Sequence, residues 1–336
     1  MSEHHGLKGN GRALTALAIV LAVSFLPIRS SQAAEAVVYR LKWLFNVSVV
    51  GDLYADEKGL FAEKNLAVTV KEGGPERDAI KEIELGHAQF GVASADQVIR
   101  ARSKGSPVVV IAQLFQVNPL QWIYRSGRVR IGNLSDLRGK TLGVTFGGND
   151  ESILRTLLAM AGLTERDVNL FSVRYDYTPF LRDRVDIWPV YRNAQGIILQ
   201  DQLGAEGEET AFFNPAEYGV RFVANSVVTS EAMVRERGDM VRRFLSSLLA
   251  GWQMALEASR QPQVLEMLAR FDPNLPPRVL AAQLDATRSM VRPEPNFSVG
   301  AFDAAAWRQT ERIMLEQGLI PQPVGVERSL EPAFLP

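Results

Sequence analysis

Four apolar stretches of this sequence end in aromatic residues that stand beside amides or hydroxyls. Trp43 closes the run that begins at Val37 and is followed by Asn46, and Phe115 closes Val108 to Phe115 ahead of Gln116 and Asn118. Tyr175 and Tyr177 end the stretch from Val168, and Trp188 and Tyr191 end the one from Val185. One aromatic at a strand end is ordinary packing. Four of them with polar neighbours fit a cleft that stacks on a planar ligand and orients it with a few hydrogen bonds.

Bond-making chemistry has little to draw on. The chain has no cysteine, and of its three histidines His4 and His5 lie in the N-terminal segment, leaving His87 in a turn-like Gly86-His87-Ala88. A Ser-His-Asp triad, a Cys-His pair and an ordinary zinc site are all hard to assemble from this set. No carboxylate pair is singled out by its spacing. The sequence therefore predicts no catalytic residue, no metal and no cofactor. Two glycine pairs remain: Glu72-Gly73-Gly74-Pro75 and Phe146-Gly147-Gly148-Asn149-Asp150. Each follows a strand-like run and precedes a helix-like one, the edge at which open α/β sheets bind ligands. Neither has the Lys-Ser/Thr of a phosphate loop or the dinucleotide spacing. Their expected contribution is backbone N–H groups at a helix start, able to hold an anionic or carbonyl oxygen.

The elements that must position these residues alternate. Strands are expected at Val37 to Leu41, Val68 to Lys71, Gln89 to Val92 and Val108 to Phe115, with helices at Gly51 to Lys64, Arg77 to Glu84 and Asp96 to Arg102 between them. That order implies a parallel sheet with right-handed crossovers. A second α/β unit follows Trp122-Ile123-Tyr124, with strands at Thr141 to Val144, Val168 to Tyr175, Val185 to Val190 and Val220 to Val223 and a helix from Glu151 to Ala161. From Ser230 onward apolar residues recur at three- and four-residue spacing, the helical period. Glu231 to Arg237, Asp239 to Glu257, Gln261 to Arg270 and Ala301 to Gln317 read as helices, and Pro273, Pro276 and Pro277 as a break.

Composition bounds the rest. Lys8 and Arg12 precede an uncharged run from Ala13 to Leu26, then Pro27 and small-residue cleavage sites at Ser31-Gln32-Ala33 and Ala34-Glu35-Ala36, the order of a secretory signal peptide. Removing 1–33 takes three basic residues and one acidic one from totals of 37 and 38, leaving 34 against 37 and a net charge of −3. No basic footprint for nucleic acid or an anionic membrane surface remains. With no cysteine to acylate, a lipoprotein anchor is excluded, so a periplasmic mature chain without stable membrane insertion is expected. Its length of about 300 residues suggests two domains.

Leu41 to Asn46, then Gly51 to Gly59 with Tyr54-Ala55, resembles the opening of solute-binding proteins of ABC transporters for nitrate, sulfonate and thiamine precursors. Glu72 to Pro75, Phe90 to Gln97, Val185 to Tyr191 and Asn214 to Val220 resemble the thiamine-pyrimidine branch. The resemblance covers nearly the whole mature chain. It implies an α/β periplasmic-binding-protein type II fold whose chain crosses the hinge twice, near Tyr124 to Gly127 and near Ala224 to Val227, with a helical C-terminal part on the first lobe. The implied division is 34–125 plus 226–336 for lobe 1 and 126–225 for lobe 2. It further implies an interlobe ligand touched by Trp43, Asn46, Glu72, Ser94, Phe115, Gly147, Gly148, Asn149, Tyr175, Trp188, Tyr191 and Asn193, and delivery to importer permease and ATPase subunits. In that branch the late tyrosine is commonly followed by Asn-Glu; here Asn193 is followed by Ala194. The expectation is accordingly a class, small heteroaromatic or polar nutrients, with a flavin or a sulfonate- or nitrate-type anion as alternatives. A same-fold enzyme of thiamine pyrimidine synthesis is the rival from another class; such enzymes depend on a histidine, a lysine and a cysteine-rich motif, whereas this chain has no cysteine, one histidine beyond the N-terminal segment and an expected signal peptide.

Overall fold

The computed structural model describes residues 33–336 except Pro75, Arg174, Tyr175 and Pro295. The expected signal peptide, apart from Ala33, lies outside the described residues. Ten strands form two five-stranded sheets. The first joins β1 (Glu35–Arg40), β2 (Leu66–Lys71), β3 (Phe90–Ala93), β4 (Val108–Gln113) and a late strand, Ser226–Ser230, in the order β2-β1-β3-late strand-β4. The second comprises β5 (Leu120–Arg125), β6 (Thr141–Val144), β7 (Asn169–Ser172), β8 (Ile187–Tyr191) and β9 (Thr210–Phe213), in the order β7-β6-β8-β5-β9. The late strand is therefore β10. In each sheet three neighbouring strands run parallel: β1 between β2 and β3, and β6 between β7 and β8.

Burial explains the placement. Val108-Val-Val-Ile-Ala-Gln113 and Leu120-Gln-Trp-Ile-Tyr-Arg125 are buried at all six positions, as strands covered on both faces must be. Edge strand β2 instead alternates, with Ala67, Thr69 independently facing outward relative to Leu66. β10 lies antiparallel between β3 and β4, which brings the chain back to the first sheet.

Four expectations are corrected. Leu120–Arg125, read as the close of the first unit, pairs with β8 and β9 in the second sheet, so the first passage between sheets precedes Leu120 and does not follow Tyr124. Val220 to Val223 is irregular, with Arg221 exposed and the other three buried. Its backbone pairs with distant segments, Arg221 N–H donating to Gln309 Oε1 and Ala95 N–H to the Val223 carbonyl, and the strand falls at Ser226–Ser230 instead. The expected helix Gly51 to Lys64 is split, because Gly59 adopts a left-handed φ of 69° between Val50–Glu57 and Leu60–Glu63. The proline break conceals a helix, Pro277–Val291, for which Pro277 supplies the first residue.

The C-terminal helices pack on the first sheet. Phe244 of helix Gly238–Ala255 stacks on Phe90 of β3 with ring centroids 3.8 Å apart. That helix crosses Val50–Glu57 where glycines meet: a Cβ on Gly251 would lie 2.4 Å from Ala55 Cβ, and one on Gly51 would lie 2.1 Å from the Trp252 ring. Trp252 and Trp307 are both fully buried. Among the described residues no helix is long and apolar enough to cross a membrane.

Candidate functional site

In each sheet the chain goes from the middle parallel strand to one neighbour and later to the other. That creates a switch point between β1 and β3 and another between β6 and β8. Ligands of open α/β sheets bind beyond the carboxyl ends of strands at such points. Here both carboxyl edges line one cavity of about 370 Å³. Lys42, Trp43, Asn46 and Ser48 come from the segment after β1, and Thr145, Gly148, Asn149 and Asp150 from the segment after β6. Tyr177 follows β7, Trp188 to Tyr191 lie on β8, Leu120 opens β5, and Asn225 comes from the second passage between sheets.

The loop after β1 is held by the first glycine pair. Gly73 N–H donates to the Trp43 carbonyl at 3.0 Å, and a Cβ on Gly73 would lie 2.0 Å from the Leu41 carbonyl oxygen, so only glycine permits this approach. The Glu72 carboxylate accepts from Phe45 N–H at 2.8 Å. Glu72 thus braces the loop and is not among the cavity-lining residues. Asn46 lines the cavity, but its Oδ1 caps the next turn by accepting from Ser48 N–H at 2.7 Å, and its Nδ2 donates to the Leu44 carbonyl at 3.1 Å.

The second glycine pair does not offer the donors its sequence suggested. Gly147, at φ 82°, donates its N–H to Glu151 Oε2 at 2.6 Å, and Gly148 donates to the Thr145 carbonyl at 2.8 Å. Thr145 N–H donates to Asp150 Oδ2 at 2.6 Å. Asp150 and Glu151 thus tie down the loop ahead of helix Asn149–Met160, and their carboxylates in its first turn suit the helix dipole. Asp150 is 4% exposed, and burial, opposed by the Thr145 N–H, pushes its carboxyl up to about 6.

The aromatic walls match expectation in part. Trp43, Trp188 and Tyr191 line the cavity, and Trp188 meets Tyr177 edge to face with centroids 6.2 Å apart. Tyr175 lies outside the described residues. Phe115 points elsewhere, into the first-sheet core, its ring 6.1 Å from that of Trp252 at 81°. Ser94 caps helix Ala95–Ser103, its Oγ donating to Gln97 Oε1 at 3.0 Å, and is not a lining residue. Asn193 is fully buried behind the cavity wall, where its Nδ2 donates to Ser48 Oγ at 3.1 Å and Thr287 Oγ1 at 2.9 Å. It ties the segment after β8 to the first-sheet side of the molecule.

Lys42, Asp150 and Asn225 were not singled out from the sequence. Lys42 Nζ lies 3.4 Å from the Tyr191 hydroxyl, a long contact. Burial pulls the Lys42 ammonium down, but the Tyr191 oxygen and the Asp96 carboxylate outweigh it and hold the group above the ordinary lysine range. Asn225, just ahead of β10, is 4% exposed, and its Oδ1 accepts no hydrogen bond from the described residues. Lys42 adjoins the Trp43 signal; nothing in the sequence marks Asn225. Among the described residues no cluster of three or more His, Cys, Asp or Glu is placed to hold a metal ion. A cavity of this kind can enclose a small ring, stack on it and present few, fixed polar groups to its edge.

Comparison with known proteins places this architecture. The chain is 24% identical over 315 residues, 90% of its length and 86% of the relative's, to the riboflavin-binding protein RibY of Chloroflexus aurantiacus. It is 26% identical over 324 residues to the formylaminopyrimidine-binding protein of Halalkalibacterium halodurans, covering 93% of this chain and 96% of that one. A further relative, 24% identical over 70% of this chain and 73% of its own length, is named 4-amino-5-hydroxymethyl-2-methylpyrimidine phosphate synthase, from Legionella pneumophila. The periplasmic aliphatic sulphonate binding protein SsuA of Escherichia coli superposes with a TM-score of 0.69 at 18% identity, over 90% of this chain and 92% of that one. That likeness establishes the periplasmic-binding-protein type II fold. The "NMT1/THI5 like" family model matches residues 46–261, a span that runs from Asn46 through the whole second sheet and both passages between the sheets, and so the chain belongs to the NMT1/THI5-like family.

Proposed function

We propose that the mature chain is exported, captures a small planar heteroaromatic solute between two lobes, and delivers it to the permease and ATPase subunits of an ABC importer. The supporting observation is the cavity of about 370 Å³ walled by Trp43 and Trp188 and lined from the carboxyl edges of both sheets. Its size falls within the range of small-molecule sites. One lobe is the first sheet with its C-terminal helices. The other is the second sheet, entered before Leu120 and left before Ser226. The ligand class is carried over from the relatives named for formylaminopyrimidine and riboflavin, and it suits the aromatic walls.

The synthase-named relative makes turnover the competing reading. The described lining residues include no histidine, and His87 is exposed on the turn ahead of β3, which supports capture without conversion. The test is to purify the chain from the periplasm of its own host, release small molecules by denaturation and identify them by mass spectrometry. A planar heteroaromatic compound, with a chain beginning near Ala34, is expected. An aliphatic solute, or an intact Met1 to Arg29 in the membrane fraction, would contradict the proposal.

A further inference from the structure

Asn225 stands at an unusual position in the cavity wall. Its backbone is pinned from the first sheet, the carbonyl accepting from Leu114 N–H at 3.0 Å and Phe115 N–H at 3.3 Å. The next residue, Ser226, is in register with Ala93 of β3 on one side and Gln113 of β4 on the other. The side chain is thus fixed in place, 4% exposed, and its Oδ1 accepts nothing from the described protein while the residue lines the cavity. A buried amide oxygen without a donor is costly, and a ligand N–H or O–H in the cavity would remove that cost.

The opposite wall carries the complementary information. The loop ahead of the helix that faces the cavity has its Thr145, Gly147 and Gly148 N–H groups committed to Asp150, Glu151 and the Thr145 carbonyl. Lys42 is the one cation among the described lining residues, and it already feels the Asp96 carboxylate, while Asp150 adds a second acid on the far side. With Asp150 in the lining and Asp96 beside Lys42, a free anion would meet no surplus of positive charge.

We infer that Asn225 reads a hydrogen-bond donor on an uncharged ligand, and that a lining whose one cation is offset by carboxylates disfavours anions. This rests on the capture reading above and narrows it: the ligand is a neutral ring bearing an N–H or O–H on the edge that meets Asn225, and a sulfonate is excluded. Lys42 then donates to an acceptor on the same ligand.

The experiment titrates the mature chain calorimetrically with riboflavin, formylaminopyrimidine and the sulfonate buffer MOPS. The same titrations are made on Asn225→Leu, which keeps the branched shape without the amide, and Asn225→Ala, which removes the amide without adding bulk, with thermal melts confirming that each is folded. The inference predicts binding of at least one neutral probe and none of MOPS. It also predicts a loss of about tenfold or more in affinity in both variants, the scale of one buried hydrogen bond. Neutral-probe binding that survives unchanged in a folded variant overturns the role of Asn225 and leaves capture standing. MOPS binding by the wild type overturns the anion exclusion. Failure of the folded wild type to bind either neutral probe overturns the capture reading itself.

Discussion

Replacing Asp52 with asparagine should flatten the pH dependence of this protein's stability. Asp52 sits fully buried on helix Val50–Glu57, its Oδ1 accepting from the Tyr39 hydroxyl at 2.5 Å. Burial dominates, opposed chiefly by the hydrogen bond from Tyr39, and raises the carboxyl from 3.8 to about 7. The sign follows from proton counting. Between those two values the native state keeps a proton that the unfolded chain has released, so stability falls as pH rises through this window. At 1.36 kcal/mol per pH unit, linkage over pH 4.5 to 8 gives a loss of about 3 kcal/mol from this one group. Asparagine does not titrate, and it keeps an acceptor for Tyr39. Urea unfolding of both proteins at pH 4.5, 6 and 8 measures the effect as a difference. Asp150, also raised by burial, titrates in both proteins and cancels. The stability of Asp52→Asn relative to wild type should increase by about 3 kcal/mol across the range. Parallel pH profiles for the two proteins would refute the reasoning.

Three further outcomes are expected. Gly251→Ala drives a Cβ to within 2.4 Å of Ala55 Cβ at the helix crossing and should cost about 1–3 kcal/mol in urea unfolding, as overpacking does. Trp307→Phe removes the indole N–H that donates to Gln113 Oε1 at 3.0 Å; denaturation should show a loss of about 1–3 kcal/mol, with ligand preference unchanged. Asn193→Ala severs the bonds to Ser48 and Thr287 that bridge the two sides of the molecule. Stopped-flow release should then be faster while association changes little, and a slower release would count against a bridging role.

Part of the cavity lining was legible because strand ends carry visible signatures. Trp43, Asn46, Trp188 and Tyr191 stand where a strand pattern stops, and all four line the cavity. Phe115 and Ser94 carry the same signature and serve other ends, one in the core beside Trp252 and the other as a helix cap. Successive side chains on extended backbone face opposite ways, so an aromatic at a strand end can face ligand or core with no change in local pattern. Asn225 was invisible for a different reason. Its place depends on β10 inserting antiparallel between β3 and β4, a pairing with residues more than a hundred positions away. The apolar run Val220 to Val223 drew the strand assignment there, although its backbone partners turn out to lie on helix Ala304–Glu316 and at Ala95. The glycines at 147 and 148 stand just ahead of a helix, as their sequence suggests, but sequence order does not reveal that Asp150 and Glu151 fold back onto the N–H groups of Thr145 and Gly147.

The central claim, that a planar ligand is held in the cavity between the sheets, is tested most directly by calorimetric titration of Trp43→Ala beside Trp307→Phe. The titrant is whichever heteroaromatic compound co-purifies with the wild type. Trp43 lines the cavity, whereas Trp307 is fully buried in the C-terminal helices. The account predicts that Trp43→Ala loses about 1–3 kcal/mol of binding while remaining folded, and that Trp307→Phe binds as the wild type does. Equal weakening in the two folded variants, or full affinity in Trp43→Ala, would contradict it.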